Sequence, residues 1–309
     1  MKKLIKMVPL PLSGVMLGTL ALGNLLQSYS EGIRYALGAV ALVFLVLLIL
    51  KLFLHGEMFK EDFKNPIMAS VAGTFPMSIM LFSVYGKPFL GPVAFYIWVF
   101  GLLLHVALII WFTVQFILKF NIAKVFASYY IVYVGIVVAS LTAPAFAMQK
   151  IGVAAFWFGF ITFALLLFVV SYRYLTKREL PDPAKPVICI YAAPMSLCIV
   201  GYISTMEKKN LIFLTGMYVV ATIIYIFALF KAAQYIRLPF YPSFASFTFP
   251  FVISAIASKQ FVAVMAMNGT LLIWGKYVVI LETILAIFFV LYTIVSYLRF
   301  FSQVIVKKD

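Results

Sequence analysis

The sequence predicts an all-α integral membrane protein, and two observations lead to that fold class. Apolar residues make up 65% of the chain and charged residues only 11%, with a mean hydropathy of +1.12. A soluble domain of 309 residues needs many more charges to cover its surface. The apolar residues also occur in long blocks, since 37–50 and 89–118 contain no Asp, Glu, Lys or Arg. A bilayer core about 30 Å thick is crossed by about 20 such residues in a helix, so these blocks predict membrane spans.

Breaking the sequence at charged and turn residues gives ten candidate spans within a single transmembrane domain over 1–309. They run over 8–28, 33–54, 66–86, 91–118, 124–147, 152–175, 186–206, 211–234, 240–262 and 272–300. Lysines precede the first span, as they do in a signal peptide. The apolar run continues through Pro9 and Pro11 without a clear cleavage site, which favours an uncleaved first span. Short connections predict that consecutive helices are antiparallel neighbours.

The formal net charge of +15 is explained better by membrane topology than by nucleic-acid binding. With both termini in the cytoplasm, 17 of the 24 lysines and arginines fall on the cytoplasmic side. The others are Arg34, Lys87, Lys150, Lys208, Lys209, Lys259 and Lys276. Cytoplasmic loops are rich in Lys and Arg, so this bias predicts an even number of spans with both termini inside. The predicted location is the plasma membrane, and no nucleic-acid partner is expected.

An internal repeat distinguishes the odd-numbered spans from the even-numbered ones. Each odd span carries a Gly or Pro within an apolar run, and these anchor residues are separated by 62, 59, 59 and 56 residues. The anchors are Gly14, Pro76, Gly135, Pro194 and Pro250. The even spans are bulkier, and none has a proline in its middle. The pattern predicts five helix hairpins, with the odd helices forming an inner ring and the even helices facing lipid.

A proline inside a helix removes one hydrogen bond and kinks the helix, and in lipid such a kink must face protein or a water-filled space. Five kinks at one depth therefore favour a central pore, and the residues predicted to line it are Ala193 and the five anchor residues. The plain alternative is that Gly and Pro serve helix packing. Phe75 and Phe249 each precede a proline at equivalent places, so their rings are candidates for a hydrophobic constriction.

The polar inventory suggests which substrates such a pore would pass. Glu282 is the one acidic residue within a predicted span, and its place near the outer end suggests that it faces solvent. His105, on an even span, is interpreted as a packed residue rather than a proton relay. Hydroxyls that could contact a substrate are Ser13, Thr19, Ser78, Ser140, Thr142, Ser196, Thr248 and Ser254.

Electrostatics favour an anion as the substrate. A pore without an acidic ring does not attract cations, and Lys87, Lys150 and Lys259 would make the outer mouth positive. The two cysteines, Cys189 and Cys198, provide no disulfide framework. No phosphate loop, metal-ligand spacing or nucleophile with a base stands out, so neither an enzyme, a metal nor a cofactor is predicted.

Three short motifs carry a resemblance to a known family. They are Pro9-Leu10-Pro11-Leu12-Ser13-Gly14, Thr142-Ala143-Pro144-Ala145-Phe146 and Ser246-Phe247-Thr248-Phe249-Pro250. They resemble the tellurite-resistance/dicarboxylate transporter family, which includes bacterial TehA, yeast malate and sulfite transporters and plant slow anion channels. The resemblance implies a homotrimer with one pore per subunit, and an aromatic gate at Phe249. Two functions stay open: an anion channel or channel-like permease, and a proton-coupled carrier for C4-dicarboxylates, sulfite or related anions.

Overall fold

The computed structural model describes residues 2–177 and 179–306, and all regular secondary structure within these ranges is helical. Arg178, Lys307 and Lys308, which were counted above among the cytoplasmic cations, lie outside the described residues. The α-helices are α1 (Lys2–Met7), α2 (Leu12–Leu26), α3 (Glu31–Asp62), α4 (Pro66–Val71), α5 (Thr74–Leu90), α6 (Val93–Phe112), α7 (Tyr129–Tyr133), α8 (Val138–Thr142), α9 (Gln149–Thr176), α10 (Ala193–Thr205), α11 (Leu211–Tyr235), α12 (Phe249–Met267) and α13 (Gly275–Val306). The all-helical fold class is therefore confirmed for the described part of the chain.

Five long helices, α3, α6, α9, α11 and α13, correspond to the even-numbered predicted spans. Their most apolar stretches are only 22–33% buried, and many large hydrophobic side chains on them are exposed. In a bilayer such side chains contact lipid, as the sequence predicts for these spans. Two of the helices begin at side-chain caps: Ser30 Oγ accepts from the Ile33 amide, and Asn210 Oδ1 accepts from the Phe213 amide. Helix α3 departs from helical geometry at His55, one residue after its predicted end.

The third, fifth, seventh and ninth spans are broken rather than continuous, and most of their residues are buried. In 66–90, 129–146, 182–205 and 242–267 the most apolar stretch is 61–89% buried. The third span is α4 followed by α5, and the fifth alternates short α and 3₁₀ turns. The seventh and ninth begin as 3₁₀ segments, Asp182–Ala192 and Pro242–Phe247, and continue as α10 and α12. The breaks are tolerated because irregular backbone at membrane depth is stable where protein surrounds it.

The prediction of mid-helix proline kinks is wrong for Pro76, Pro194 and Pro250. Pro76 is the third residue of α5, and Pro194 and Pro250 are each the second residue of an α-helix that follows a 3₁₀ segment. A proline at the start of a helix removes no intrahelical hydrogen bond, because the first amide groups have no intrahelical partner. The prolines therefore mark new helix starts inside the membrane.

The inner helices contact one another in a closed order. Helix α2 packs on α5, α5 on α8, α8 on α10, α10 on α12, and α12 back on α2. Hydroxyl groups join several of these contacts: Ser13 and Thr74 lie 2.7 Å apart, and Ser196 and Ser254 lie 3.1 Å apart, measured between side-chain oxygens. Thr248 Oγ1 donates to the Gly14 carbonyl at 3.0 Å. These hydroxyls thus serve helix packing, and none of the eight predicted substrate-contacting hydroxyls lines the cavities described below.

Glycine permits the closest of these contacts. A Cβ on Gly18 of α2 would lie 2.4 Å from Thr248 Cβ and 2.8 Å from the Phe249 nitrogen. Only a residue without a side chain lets α2 approach the start of α12 this closely.

Nine helical stretches in the described ranges are long and apolar enough to cross a membrane, and α2, with 15 residues, is shorter. The multi-pass character is established by these stretches. The first predicted span corresponds to α2, the shorter apolar helix, preceded by residues 8–11.

Candidate functional site

Two cavities lie between the inner helices. The first, called here the proximal cavity, has a volume of about 230 Å³ and lies at the N-terminal ends of α2, α5, α10 and α12. All five odd-numbered spans contribute to its lining. Of the predicted pore residues, the structure brings together Gly14, Gly135, Ala193, Pro194, Phe249 and Pro250.

The second, the distal cavity, has a volume of about 210 Å³ and lies further along the same helices. Its lining consists of Ala21, Asn24, Gln27, Leu81, Val138, Leu141, Val200, Ser204, Phe249, Ile253, Ile256 and Gln260. Residues three or four apart share a helix face, and the lining of each inner span continues from one cavity to the next at that spacing. Met77 is followed by Leu81, and Leu197 by Val200. The two cavities therefore lie in series along one path.

Phe249 lies at both cavities. It is the one described residue that lines both, and its side chain is 7% exposed. As the first residue of α12 it follows Thr248, whose backbone (φ −91°, ψ −90°) is neither helical nor extended. The contact with Gly18 and the hydrogen bond from Thr248 to Gly14 fix this turn against α2. The neighbouring helix thus holds the backbone at the start of α12, which carries the Phe249 side chain.

Phe75 and Pro76 do not line this path. They line a crevice of about 850 Å³ on the outer side of α5, together with Leu48 and Trp111. The reason is helical phase, because the proline is the second residue of α10 and α12 but the third residue of α5. One residue rotates a side chain by about 100° around the helix axis. Thr74, the first residue of α5, therefore takes the place that corresponds to Phe249, and it does line the proximal cavity.

The lining of both cavities is mainly apolar, so the electrostatic potential at the lining itself comes mainly from backbone groups. No charged side chain occurs among the described residues of either lining. Helices α2, α5, α10 and α12 start at the proximal cavity, and none of them has a side-chain cap. A helix N-terminus carries roughly half a positive elementary charge. Around this cavity that charge is reduced, because the Leu12, Ser13 and Gly14 amides of α2, the Phe75 amide of α5 and the Ala193 amide of α10 already donate to preceding carbonyls.

The three predicted outer-mouth lysines occupy different places at the distal end. Lys259 Nζ donates to the Leu25 carbonyl at 3.1 Å and to Ser28, beside the distal cavity. Lys87 donates to the Ala145 carbonyl and, with Phe146, borders a separate surface pocket. Lys150 is exposed in the first turn of α9.

The two ionisable residues singled out within the spans are both buried. His105 is fully buried, and its Nε2 lies 3.0 Å from the Val132 carbonyl at the broken fifth span, so it packs as predicted. The expectation that Glu282 faces solvent is wrong, because the residue is only 5% exposed and its Oε2 has no hydrogen-bond partner. Helix α13 packs on α12, where Ser258 is hydrogen-bonded to the Glu282 carboxylate. Neither residue lines the path.

Sequence reasoning missed the polar residues of the distal cavity. Asn24, Ser204 and Gln260 lie ten or eleven positions after Gly14, Ala193 and Phe249, which is about three helical turns. The spacing alone could have identified them. The described residues contain no group of three or more His, Cys, Asp or Glu that could hold a metal ion.

Comparison with known families gives one match over most of the chain. A family model described as voltage-dependent anion channel matches residues 8–296. Comparison with curated proteins gives no match.

Proposed function

Because the chain belongs to the voltage-dependent anion channel family, the tellurite-resistance/dicarboxylate transporter family recognised from its motifs, we propose that it conducts small anions through the path between its inner helices, with Phe249 as the gate. The family itself establishes anion transport across a membrane as the general activity. The channel mechanism and the gate are the proposal.

One observation carries the gate assignment: Phe249 is the described residue shared by the linings of two cavities in series. A phenyl ring between two cavities that are each large enough for several water molecules forms an apolar constriction, and such a constriction excludes water and hydrated ions. Moving or removing the ring joins the two spaces. Conduction is therefore controlled at one side chain on α12.

The preference for anions rests on two features of the path. Four helix starts without side-chain caps lie around the proximal cavity, and no acidic side chain among the described residues lines either cavity. A cation would meet this field without a compensating carboxylate. An anion gains from it without binding so tightly that it cannot leave.

The test is Phe249→Ala in purified protein reconstituted into liposomes, with chloride flux driven by an ion gradient. We expect the flux to rise by about tenfold or more, which corresponds to removing about 1.4 kcal/mol from the barrier. The matched control is Phe75→Ala, which removes the same ring beside a proline but outside the path. An unchanged flux in folded Phe249→Ala protein, or an equal rise in Phe75→Ala, would contradict the gate assignment.

A proton-coupled carrier is the second candidate, and the burial of Glu282 favours it. A buried carboxylate with an unpartnered oxygen is the kind of group that carries protons in transporters. Its place on α13, away from both linings, favours the channel instead. Saturable uptake of malate or sulfite driven by a pH gradient, and lost in Glu282→Gln, would establish the carrier.

We further propose ten spans as five hairpins in one domain, a homotrimer with one path per subunit, and a plasma-membrane location with both termini in the cytoplasm. The closed contact order of the inner helices, the distribution of positive charge and the family resemblance support these proposals. Light scattering of the purified protein tests the subunit number. Accessibility of single cysteines introduced at 150 and 64, on opposite predicted faces, tests the orientation.

A further inference from the structure

The distal cavity contains amide groups that an apolar path does not require. Its lining is mainly aliphatic, but Asn24, Gln27 and Gln260 face it together with Ser204. Ser204 donates its hydroxyl proton to the Val200 carbonyl at 2.8 Å. The Gln27 amide nitrogen donates to Glu31 at 2.6 Å. The amides of Asn24 and Gln260 remain as donors.

A buried arginine fixes the orientation of Asn24. Arg34 Nε donates to Asn24 Oδ1 at 3.2 Å, which uses the oxygen of the amide and leaves the two Nδ2 hydrogens as donors. Arg34 itself is held in place: it is 7% exposed, its guanidinium lies 4.4 Å from the centroid of the Tyr85 ring, and its NH1 lies 3.3 Å from Glu31 Oε2. A cation bonded to the amide oxygen also polarises the amide, so its N–H groups become stronger donors.

A second cation lies on the other side of the same helix end. Lys259, next to Gln260 on α12, donates to the carbonyl of Leu25, the residue after Asn24. The Oε1 of Gln260 is buried without a hydrogen-bond partner. Two cations, Arg34 paired with Glu31 and Lys259, therefore lie behind the cavity wall, while the groups that reach the cavity are neutral.

We propose that the distal cavity is a coordination site for a monovalent anion, with Asn24 and Gln260 as direct donors and Arg34 as a positioning residue. The inference rests on the proposed function and names its substrate class. Neutral donors replace part of a hydration shell without trapping the ion. The cost of dehydrating an ion grows with the square of its charge, and no cation reaches the cavity to offset that cost for a dianion. The site therefore suits anions such as chloride and nitrate rather than dicarboxylates.

The test measures permeability ratios by reversal potentials in planar bilayers that contain the full-length protein, with chloride, nitrate and malate as the anions. In Asn24→Leu we expect chloride permeability relative to nitrate to fall about tenfold, because the more strongly hydrated ion loses a charge-assisted hydrogen bond. Gln27→Leu is the matched control, since that amide lines the same cavity but its nitrogen is committed to Glu31. Arg34→Met should reproduce part of the change, and Arg34→Lys should restore it in part.

A second variant keeps the test decisive if Asn24→Leu does not fold. Asn24→Asp has the same shape and can pair with Arg34, and its negative charge should abolish anion selectivity. Equal permeability ratios in the wild type, Asn24→Leu and Gln27→Leu, or normal selectivity in folded Asn24→Asp, would overturn the site. So would a higher permeability for malate than for chloride in the wild type. If neither the wild type nor Phe249→Ala passes any anion, the proposed function has failed instead.

Discussion

Replacing Gly18 with alanine tests whether the packing of α2 against α12 determines the position of the Phe249 ring. The added Cβ would lie 2.4 Å from Thr248 Cβ, 2.5 Å from Thr248 Oγ1 and 2.8 Å from the Phe249 nitrogen. The nearest atoms belong to backbone and to a β-branched side chain, which cannot rotate away as the end of a long side chain can. The two helices must therefore separate.

The structure gives the size of the effect. Ordinary contacts of a Cβ lie at 3.4–4 Å, so a separation of 2.4 Å must widen by about 1 Å. The same movement would stretch the hydrogen bond from Thr248 Oγ1 to the Gly14 carbonyl, now 3.0 Å, beyond hydrogen-bonding distance. Overpacking of this kind costs about 1–3 kcal/mol. We expect the free energy of unfolding to fall by that amount and the chloride leak to rise, because the Phe249 ring no longer seals the path.

Two measurements on one preparation test this reasoning: unfolding in detergent followed by circular dichroism, and chloride flux from liposomes. Gly216→Ala is the matched control, because a Cβ at that position on α11 has no atom within 4 Å. Alanine there should be neutral or slightly stabilising, since it favours the helix. If Gly18→Ala unfolds at the same point as Gly216→Ala and leaks no more chloride, the close approach does not position the gate.

Two further predictions concern the buried core. Trp98→Phe removes the 2.7 Å hydrogen bond from the buried Trp98 Nε1 to Thr142 Oγ1 and should lower the free energy of unfolding by about 1–3 kcal/mol. Adding Thr142→Ala should cost little more. Fully additive losses in the double-mutant cycle would argue against a direct interaction. Cys189 and Cys198 are free thiols with no exposed surface, so a membrane-permeant maleimide should label them only after unfolding, and mass spectrometry of the folded protein in detergent would reveal any labelling that contradicts this.

Composition and periodicity were sufficient to predict the helical class and to distinguish the mostly buried spans from the mostly exposed ones. Those properties follow from how many apolar residues each span carries and whether Gly or Pro interrupts it, as in 182–205 compared with Gln149–Thr176. Six of the predicted pore residues line the proximal cavity because each lies where an inner span changes its backbone geometry. A change of that kind has a local sequence signal.

Helical phase and partner choice have no such signal. Pro76 and Pro194 are both followed by Met and Ser in the sequence. The helix at Pro76 starts one residue earlier relative to the proline, however, and Pro76 therefore lines the crevice. Hydroxyls such as Ser254 were predicted to contact substrate, but a hydroxyl at this depth bonds the nearest backbone carbonyl or a facing helix. The burial of Glu282 depends on which helix α13 covers. These outcomes are set by contacts between residues far apart in the chain.

The breaks in the inner spans also determine when each part of the chain can become stable during biosynthesis. A broken span such as Asp182–Ala192 with α10 exposes unpaired peptide groups to lipid until its neighbours cover it. Outer helices such as α3 and α11 satisfy their own backbone and can leave the translocation machinery as independent units. The last inner span includes α12, which carries Phe249 and packs against α2 near the other end of the sequence. The closed arrangement of inner helices therefore forms only after nearly the whole chain has been inserted, and a product truncated before α12 lacks it.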